Sequence, residues 1–258
     1  MVSGPLFELP WGAALTAMQL VVTCTSWINE VKPGGATAYS KFSSGGGISS
    51  RLGMLIIYTP ALIAAATLTV EHGFSVPTAA GQPGHGTIAT LLMLHFGKRV
   101  TEVLVVHKYS GTVSAAIAST IGVYYALVTV LIKATAISDP IRFSPDNARA
   151  FGLVLFGVGQ LGNLYHHALL ASLRAPGSRA YVVPSGGLFG LVAAPHYFFE
   201  LVAWWGLAMV ADHFNVYLVA TAMTSYLGGR SVAQNRYNRE KFKDKWPGSR
   251  RNLVPFLF

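Results

Sequence analysis

Ionisable side chains interrupt apolar stretches at several places, and their spacing puts them on shared helix faces. His95, Lys98, Arg99 and Glu102 stand at i, i+3, i+4 and i+7, offsets that lie on one side of an α-helix. Gly157, Gly159 and Gly162 spell GxGxxG, and Asn163, His166, His167 and Arg174 follow. His196 and Glu200 are four residues apart and share a face. Arg230, Gln234 and Asn238 repeat at intervals of four. Charged groups inside apolar helices are costly, so such stripes read first as function. Cationic and amide donors of this kind suit an anionic ligand with a polar head, and arginines suit phosphates. Plainer alternatives stand beside this reading. Glu102 can pair with Lys98 or Arg99 and snorkel to the interface, and His196 with Glu200 can be a structural hydrogen bond.

The GxGxxG is not read as a dinucleotide fingerprint. That motif needs a preceding strand and a βαβ unit, whereas glycines inside an apolar helix let a neighbouring helix approach closely. His166 and His167 point to different faces, and no HxxxH or HxxH accompanies them, so no metal site is expected.

The elements that must position these residues follow from composition. Of 258 residues, 52% are hydrophobic and 11% charged, with a mean hydropathy of +0.46. Soluble domains carry about 25% charged residues. Abundant apolar surface excludes disorder, and a lone cysteine, Cys24, excludes a disulfide scaffold. The expectation is an all-α integral membrane protein, one polytopic domain over 1–258. Seven stretches approach the roughly 20 apolar residues of a span: 7–28, 52–70, 87–107, 113–137, 150–173, 187–210 and 213–229. Pro33-Gly34-Gly35, Ser43–Gly47, Pro77, Pro83-Gly84, Asp139-Pro140, Ser144-Pro145-Asp146 and Ala175-Pro176-Gly177 break the connections. A very short link at Asp212 makes spans six and seven a tight pair. No basic n-region precedes the first apolar run, so no cleavable signal peptide is expected.

The basic residues set the orientation. One side holds sixteen, namely Lys32, Lys41, Arg51, Lys98, Arg99, Lys108, Arg174, Arg179 and the eight after Gly229. The other holds three, Lys133, Arg142 and Arg149, beside Asp139 and Asp146. The C-terminus is therefore expected in the cytosol. Much of the net charge of +9 is topogenic, so no nucleic-acid partner is called for. The polar stripes then enclose a cavity open to the cytosol, which an apolar substrate enters sideways from the lipid. The basic segment 230–258 turns apolar again at Asn252–Phe258 and is expected to fold back as a lid. Its plainer role is attraction to anionic headgroups, worth about 1 kcal/mol per basic residue.

These residues also resemble a known family. Asn163, Arg174, Tyr181, Pro184, Gly186-Gly187-Leu188-Phe189, His196, Glu200, Trp204, Arg230 and the ending Phe242…Pro247…Arg250…Pro255-Phe256-Leu257-Phe258 are similar to the pattern of the membrane steroid 5α-reductases. That family includes very-long-chain trans-2-enoyl-CoA reductases and polyprenol reductases. The segment His95–Tyr109 looks most like the enoyl-CoA branch, and Arg51-Leu52-Gly53-Met54 with Tyr58-Thr59-Pro60 like a plant-type reductase-like group. Steroid reductases usually carry Glu where this chain has Tyr58, and Tyr where it has Phe96.

The resemblance implies seven helices around NADPH and reduction of a carbon–carbon double bond conjugated to a carbonyl. Hydride addition builds enolate charge on oxygen, which needs a preorganised donor, and the α-carbon needs an acid. Tyr58 and Tyr197 are the candidates, with Lys98 as the cationic alternative. Asn163, His167, Arg174, Tyr181, Arg230, Gln234 and Asn238 would hold the cofactor, and His196 with Glu200 would orient the nicotinamide. Arginine near the ribose favours NADPH over NADH. The expected substrate is a 3-oxo-Δ4-steroid-like lipid, with a 2-enoyl-CoA as the alternative. The expected location is the endoplasmic reticulum, or the inner membrane in a bacterium, and a monomer is expected. Two rival classes remain. An isoprenylcysteine-type methyltransferase using S-adenosylmethionine typically has a Glu-Glu pair in the tail, where this chain has only Glu240 and Asp244. A lipid-binding or transport protein has no need of the Asn/Arg/Tyr set.

Overall fold

The computed structural model describes residues 12–38, 42, 46–72, 85–137, 148–174 and 181–258. Among them are seven α-helices: α1 Gly12–Val31, α2 Ser50–His72, α3 His85–Thr101, α4 Ala115–Ile137, α5 Ala148–Ser172, α6 Pro195–Ala211 and α7 Phe214–Phe242. By length and composition, α2 and α4 are long and apolar enough to cross a membrane. Lys41, Asp139, Arg142, Asp146 and Arg179, and the turn signals at 43–45, 77, 83–84, 139–140, 144–146 and 175–177, lie outside the described residues.

The helices follow the expected apolar stretches except at the sixth. The sixth was expected from 187, but Gly187–Gly190 forms a separate 3-10 turn and α6 starts at Pro195. Proline favours the first helical turn because it lacks the N–H that would be unpaired there. The seventh apolar stretch was expected to end at Gly229 with the stripe Arg230, Gln234 and Asn238 continuing it, and α7 runs on to Phe242. Gly228 and Gly229 are no breakers here. A Cβ on Gly228 would meet the Trp27 ring at 2.9 Å, and one on Gly229 would meet Glu30 Cβ at 2.9 Å. They are the places where α1 lies against α7.

Helix pairing follows small residues. α5 lies along α6, α1 along α7, and α2 between α3 and α4. In the GxGxxG segment, a Cβ on Gly159 would overlap the Ala203 backbone, and one on Gly162 the Phe199 ring. Gly157 faces open space and takes no part in this packing. Between the helix pairs sits an aromatic core. Phe96 is fully buried, 5.7 Å from the Tyr125 ring and 6.3 Å from Trp204.

Two devices tie the ends. β1 Ile48–Ser49 pairs antiparallel with β2 Thr112–Val113, and Ser50 N donates to Gly111 O at 2.9 Å. This fixes the segment after α3 against the start of α2. The chain after α7 turns back, and Arg251 N donates to Leu191 O while Ala193 N donates to Arg251 O. Trp246 Nε1 donates to Asn235 Oδ1 at 2.9 Å.

Candidate active site

A cavity of about 300 Å³ opens among α2, α3, α5, α6 and α7, at the low end of small-molecule sites. Each helix supplies it at helical spacing. α2 gives Ser50, Met54 and Tyr58, α3 gives Arg99, and α5 gives His167, Leu170 and Ala171, with Arg174 just past its end. α6 gives His196, Tyr197 and Glu200, and α7 gives Tyr226, Leu227 and Gln234. The link after α3 adds His107, Lys108 and Tyr109, and Tyr181, Pro184 and Phe189 close the side.

Behind this wall runs a buried polar network centred on Glu102. Its Oε1 accepts from Lys98 Nζ at 3.0 Å, and its Oε2 accepts from Arg99 Nη1 at 2.5 Å. His167 Nδ1 is 3.1 Å from the same Oε2. The alternatives left open between Lys98 and Arg99 thus resolve to both, and Glu102 is buried rather than snorkelled. Arg99 Nη2 donates to the Tyr58 hydroxyl at 2.5 Å. Lys98 also donates to Asn163 Oδ1, and Asn163 Nδ2 donates to the His196 carbonyl at 2.8 Å. At Glu102 α3 passes into a π-helical turn, Glu102–Val106, where His107 N donates to Glu102 O at 2.8 Å. One extra residue per turn rotates the helix end, a feature frequent at functional sites.

The adjacent histidines separate as their helix faces require. His166 Nδ1 meets Gly162 O at 2.7 Å, and its Nε2 accepts from Leu188 N at 3.1 Å, so it pins the 3-10 turn to α5. His167 faces the cavity. Glu102, His107 and His167 also bring three ligand-type atoms within 4.8 Å of one another. The Arg99 guanidinium already bridges Glu102 Oε2 and His167 Nδ1, at 2.5 and 3.0 Å. A fixed cation there opposes a second one.

At the mouth, Lys108 Nζ donates to Arg174 O at 2.7 Å and Arg174 Nη1 donates back to Lys108 O. The Arg174 guanidinium lies 5.6 Å from the Tyr181 ring, and Lys241 Nζ lies 4.9 Å from it. Burial raises the Tyr181 hydroxyl above the usual phenol value, with Arg174 opposing. Burial pushes Tyr109 up to about 12, with Arg99 opposing. Both are neutral donors at neutral pH.

Of the residues singled out in the sequence, Tyr58, Arg99, Tyr197, His167, Arg174, Tyr181, His196, Glu200 and Gln234 line one cavity. Lys98 and Asn163 stand one layer behind, in the network. Arg230 is not a lining residue. Its Nη1 donates to Glu30 Oε2 at 3.3 Å and to Thr37 O at 3.1 Å, and its guanidinium stacks 4.9 Å from the Phe42 ring. Asn238 accepts from Gln234 Nε2 at 3.0 Å and also lies outside the lining. The expected lid differs too: nothing from 243–258 lines the cavity, because the tail is bonded to 191–194 and to α7. Arg99, Lys108 and Tyr109 were not assigned roles from sequence. Arg99 carried a signal, its place on the His95–Glu102 stripe, whereas Tyr109 sits in a link and carried none.

The donors present fit a nicotinamide dinucleotide. Lys108 and Arg174 supply cations at the mouth. The buried Tyr109 hydroxyl lines the cavity and has no partner among the described residues, and a buried donor of this kind calls for an acceptor. Residues 108–258 match the family described as 3-oxo-5-alpha-steroid 4-dehydrogenase. The chain is 30% identical over 166 residues to a very-long-chain enoyl-CoA reductase of Dictyostelium discoideum, covering 64% of this chain and 55% of that protein. It is 38% identical over 106 residues to 3-oxo-5-alpha-steroid 4-dehydrogenase 1 of Rattus norvegicus, covering 41% of this chain and 40% of that one. It is 36% identical over 112 residues to steroid 5-alpha-reductase DET2 of Gossypium hirsutum, covering 42% of each. The chain thus spans about half the length of the curated relatives it matches. Because the matched segment contributes α5, α6, α7 and much of the cavity wall, the chain belongs to the 3-oxo-5-alpha-steroid 4-dehydrogenase, or steroid 5α-reductase, family.

Proposed function

We propose that this chain is a membrane-embedded, NADPH-dependent reductase of a carbon–carbon double bond conjugated to a carbonyl in a lipid, of the 3-oxo-Δ4-steroid type. The observation that carries the reading is one cavity joining two phenols, Tyr58 and Tyr197, to the cationic mouth at Lys108 and Arg174. When bound, the cofactor supplies a hydride to the β-carbon of the enone. The π pair then moves toward the carbonyl, and negative charge gathers on its oxygen. Tyr58 donates a hydrogen bond to that oxygen. Tyr197 gives its proton to the α-carbon and recovers one from water. His196 and Glu200 orient the nicotinamide end. Asn163 holds the His196 carbonyl in place. Arg174, Tyr181 and Gln234 hold phosphate and ribose groups.

A second reading is reduction of a 2-enoyl-CoA. The match to the Dictyostelium protein favours it, since it reaches 64% of the chain. The charged pair Lys98–Glu102 in the α3 stripe supports the same branch. Membranes given NADPH and, separately, a 4-ene-3-ketosteroid and a long-chain 2-enoyl-CoA decide between them. Turnover of the steroid is expected. Turnover of the thioester alone selects the second reading, and turnover of neither with cofactor bound rejects both substrate classes.

In this reading seven helices cross the bilayer of the endoplasmic reticulum, or the bacterial inner membrane, and a monomer suffices for the cavity. The sixteen-to-three split of basic residues supports a cytosolic C-terminus. A reporter fused after Phe258 should stay unglycosylated; glycosylation in the lumen overturns the orientation.

A further inference from the structure

We propose that Arg99 is a positioning residue for the reaction, acting through Tyr58: it fixes the phenol at the cavity wall and strengthens its O–H as a donor to the substrate carbonyl. The inference rests on Tyr58 being that donor. Arg99 Nη2 donates to the Tyr58 oxygen at 2.5 Å. A phenol that accepts there keeps its own proton for another acceptor, and Tyr58 faces the cavity. The guanidinium is held from its far side as well. Its Nη1 donates to Glu102 Oε2 at 2.5 Å and lies 3.0 Å from His167 Nδ1. Its carbon stands 4.6 Å from the Tyr58 ring centroid. A fork braced at one end by a carboxylate and at the other by a phenol has little freedom to turn.

The placement also has an electrostatic consequence. Arg99 and Tyr58 are 5% and 6% exposed, so water screens the pair weakly and the cation polarises the phenol strongly. Glu102 balances the resting charge. As hydride arrives at the β-carbon, electron density moves to the carbonyl oxygen and pulls on the Tyr58 proton. The phenol oxygen gains negative character, and Arg99 stabilises it. The proton stays shared between Tyr58 and the oxygen and returns as Tyr197 protonates the α-carbon. Nothing is consumed beyond the hydride and one proton. Lys98, the neighbouring cation, cannot substitute, because its Nζ is committed to Glu102 and Asn163.

A double-mutant cycle on the full-length protein tests this. Turnover of a 4-ene-3-ketosteroid, and in parallel of a long-chain 2-enoyl-CoA, is measured for Tyr58→Phe, Arg99→Gln and the double variant, with NADPH affinity read by nicotinamide fluorescence. Arg99→Gln should lower kcat about 10- to 100-fold, the range of a hydrogen bond to a charged group. In the Tyr58→Phe background the same change should cost less than about threefold, since its target is gone. NADPH affinity should stay within about threefold throughout. An equal loss in both backgrounds overturns the inference, as does an unchanged kcat in Arg99→Gln. If Arg99→Gln does not fold, Arg99→Lys keeps the charge beside Glu102 without the fork, and must show the same non-additivity. Full turnover in Tyr58→Phe alone would instead sink the assignment of Tyr58, a distinct outcome.

Discussion

Two buried arginines, Arg99 and Arg230, divide the molecule into a reactive side and a structural side. Both are almost fully buried, both pair with a glutamate, and both stack on an aromatic ring. Arg99 braces Tyr58 at a cavity wall. Arg230 joins α7 to α1 through Glu30 and to the following turn through Thr37 O, away from that cavity. Burial, charge and a partner are thus shared, and what differs is that Arg99 and the phenol it holds border an open space. A buried ion pair by itself is weak grounds for function.

The largest expected effect tests the reactive side. Tyr58→Phe should lower kcat about 1,000-fold, the upper end for removing one oxyanion donor, and leave NADPH affinity nearly intact. A loss below tenfold would erase the contrast. On the structural side, Glu30→Gln strips the carboxylate from buried Arg230 and should cost about 3–5 kcal/mol of stability. Thermal or denaturant unfolding reads this, and kcat per folded molecule should not move. If the variant instead lost turnover at unchanged stability, Arg230 would belong with Arg99.

Arg174 lies between the two cases, at the cavity mouth and half latched to Lys108. Arg174→Ala should weaken NADPH binding about tenfold, roughly 1.4 kcal/mol, with little change in the apo thermal midpoint. Equal loss of apo stability would move it to the structural side. The smallest effect compares glycines. Gly157→Ala, facing open space, should stabilise α5 by about 1 kcal/mol. Gly159→Ala, against the Ala203 backbone, should destabilise it, and equal midpoints for the two would contradict the α5–α6 packing.

Much of this was legible because hydrophobic period and charge position are local properties. Helices α1 to α5 follow the apolar stretches, and the stripe His95, Lys98, Arg99 and Glu102 lies on one helix face because 3.6 residues make a turn. The stripe's inner connections were not legible. Helical spacing places Lys98 and Arg99 equally near Glu102, and nothing local says which of them reaches Tyr58. The same limit applied to Arg230, where the repeat with Gln234 and Asn238 suggested one ligand-facing stripe. Gln234 reaches the cavity, whereas Glu30, some 200 positions earlier in the chain, takes Arg230.

The sequence alone therefore determined the helical class, the apolar stretches, the family resemblance and the set of polar residues among which the site lies. Those depend on composition and on contacts within a few residues. Tertiary structure decided how the set divides. It ended α3 in a π turn, paired Arg230 of α7 with Glu30 of α1, and bonded the tail to 191–194 instead of over the cavity. Each of these depends on a neighbour distant in sequence, and a buried polar group takes whichever partner the packing brings within reach.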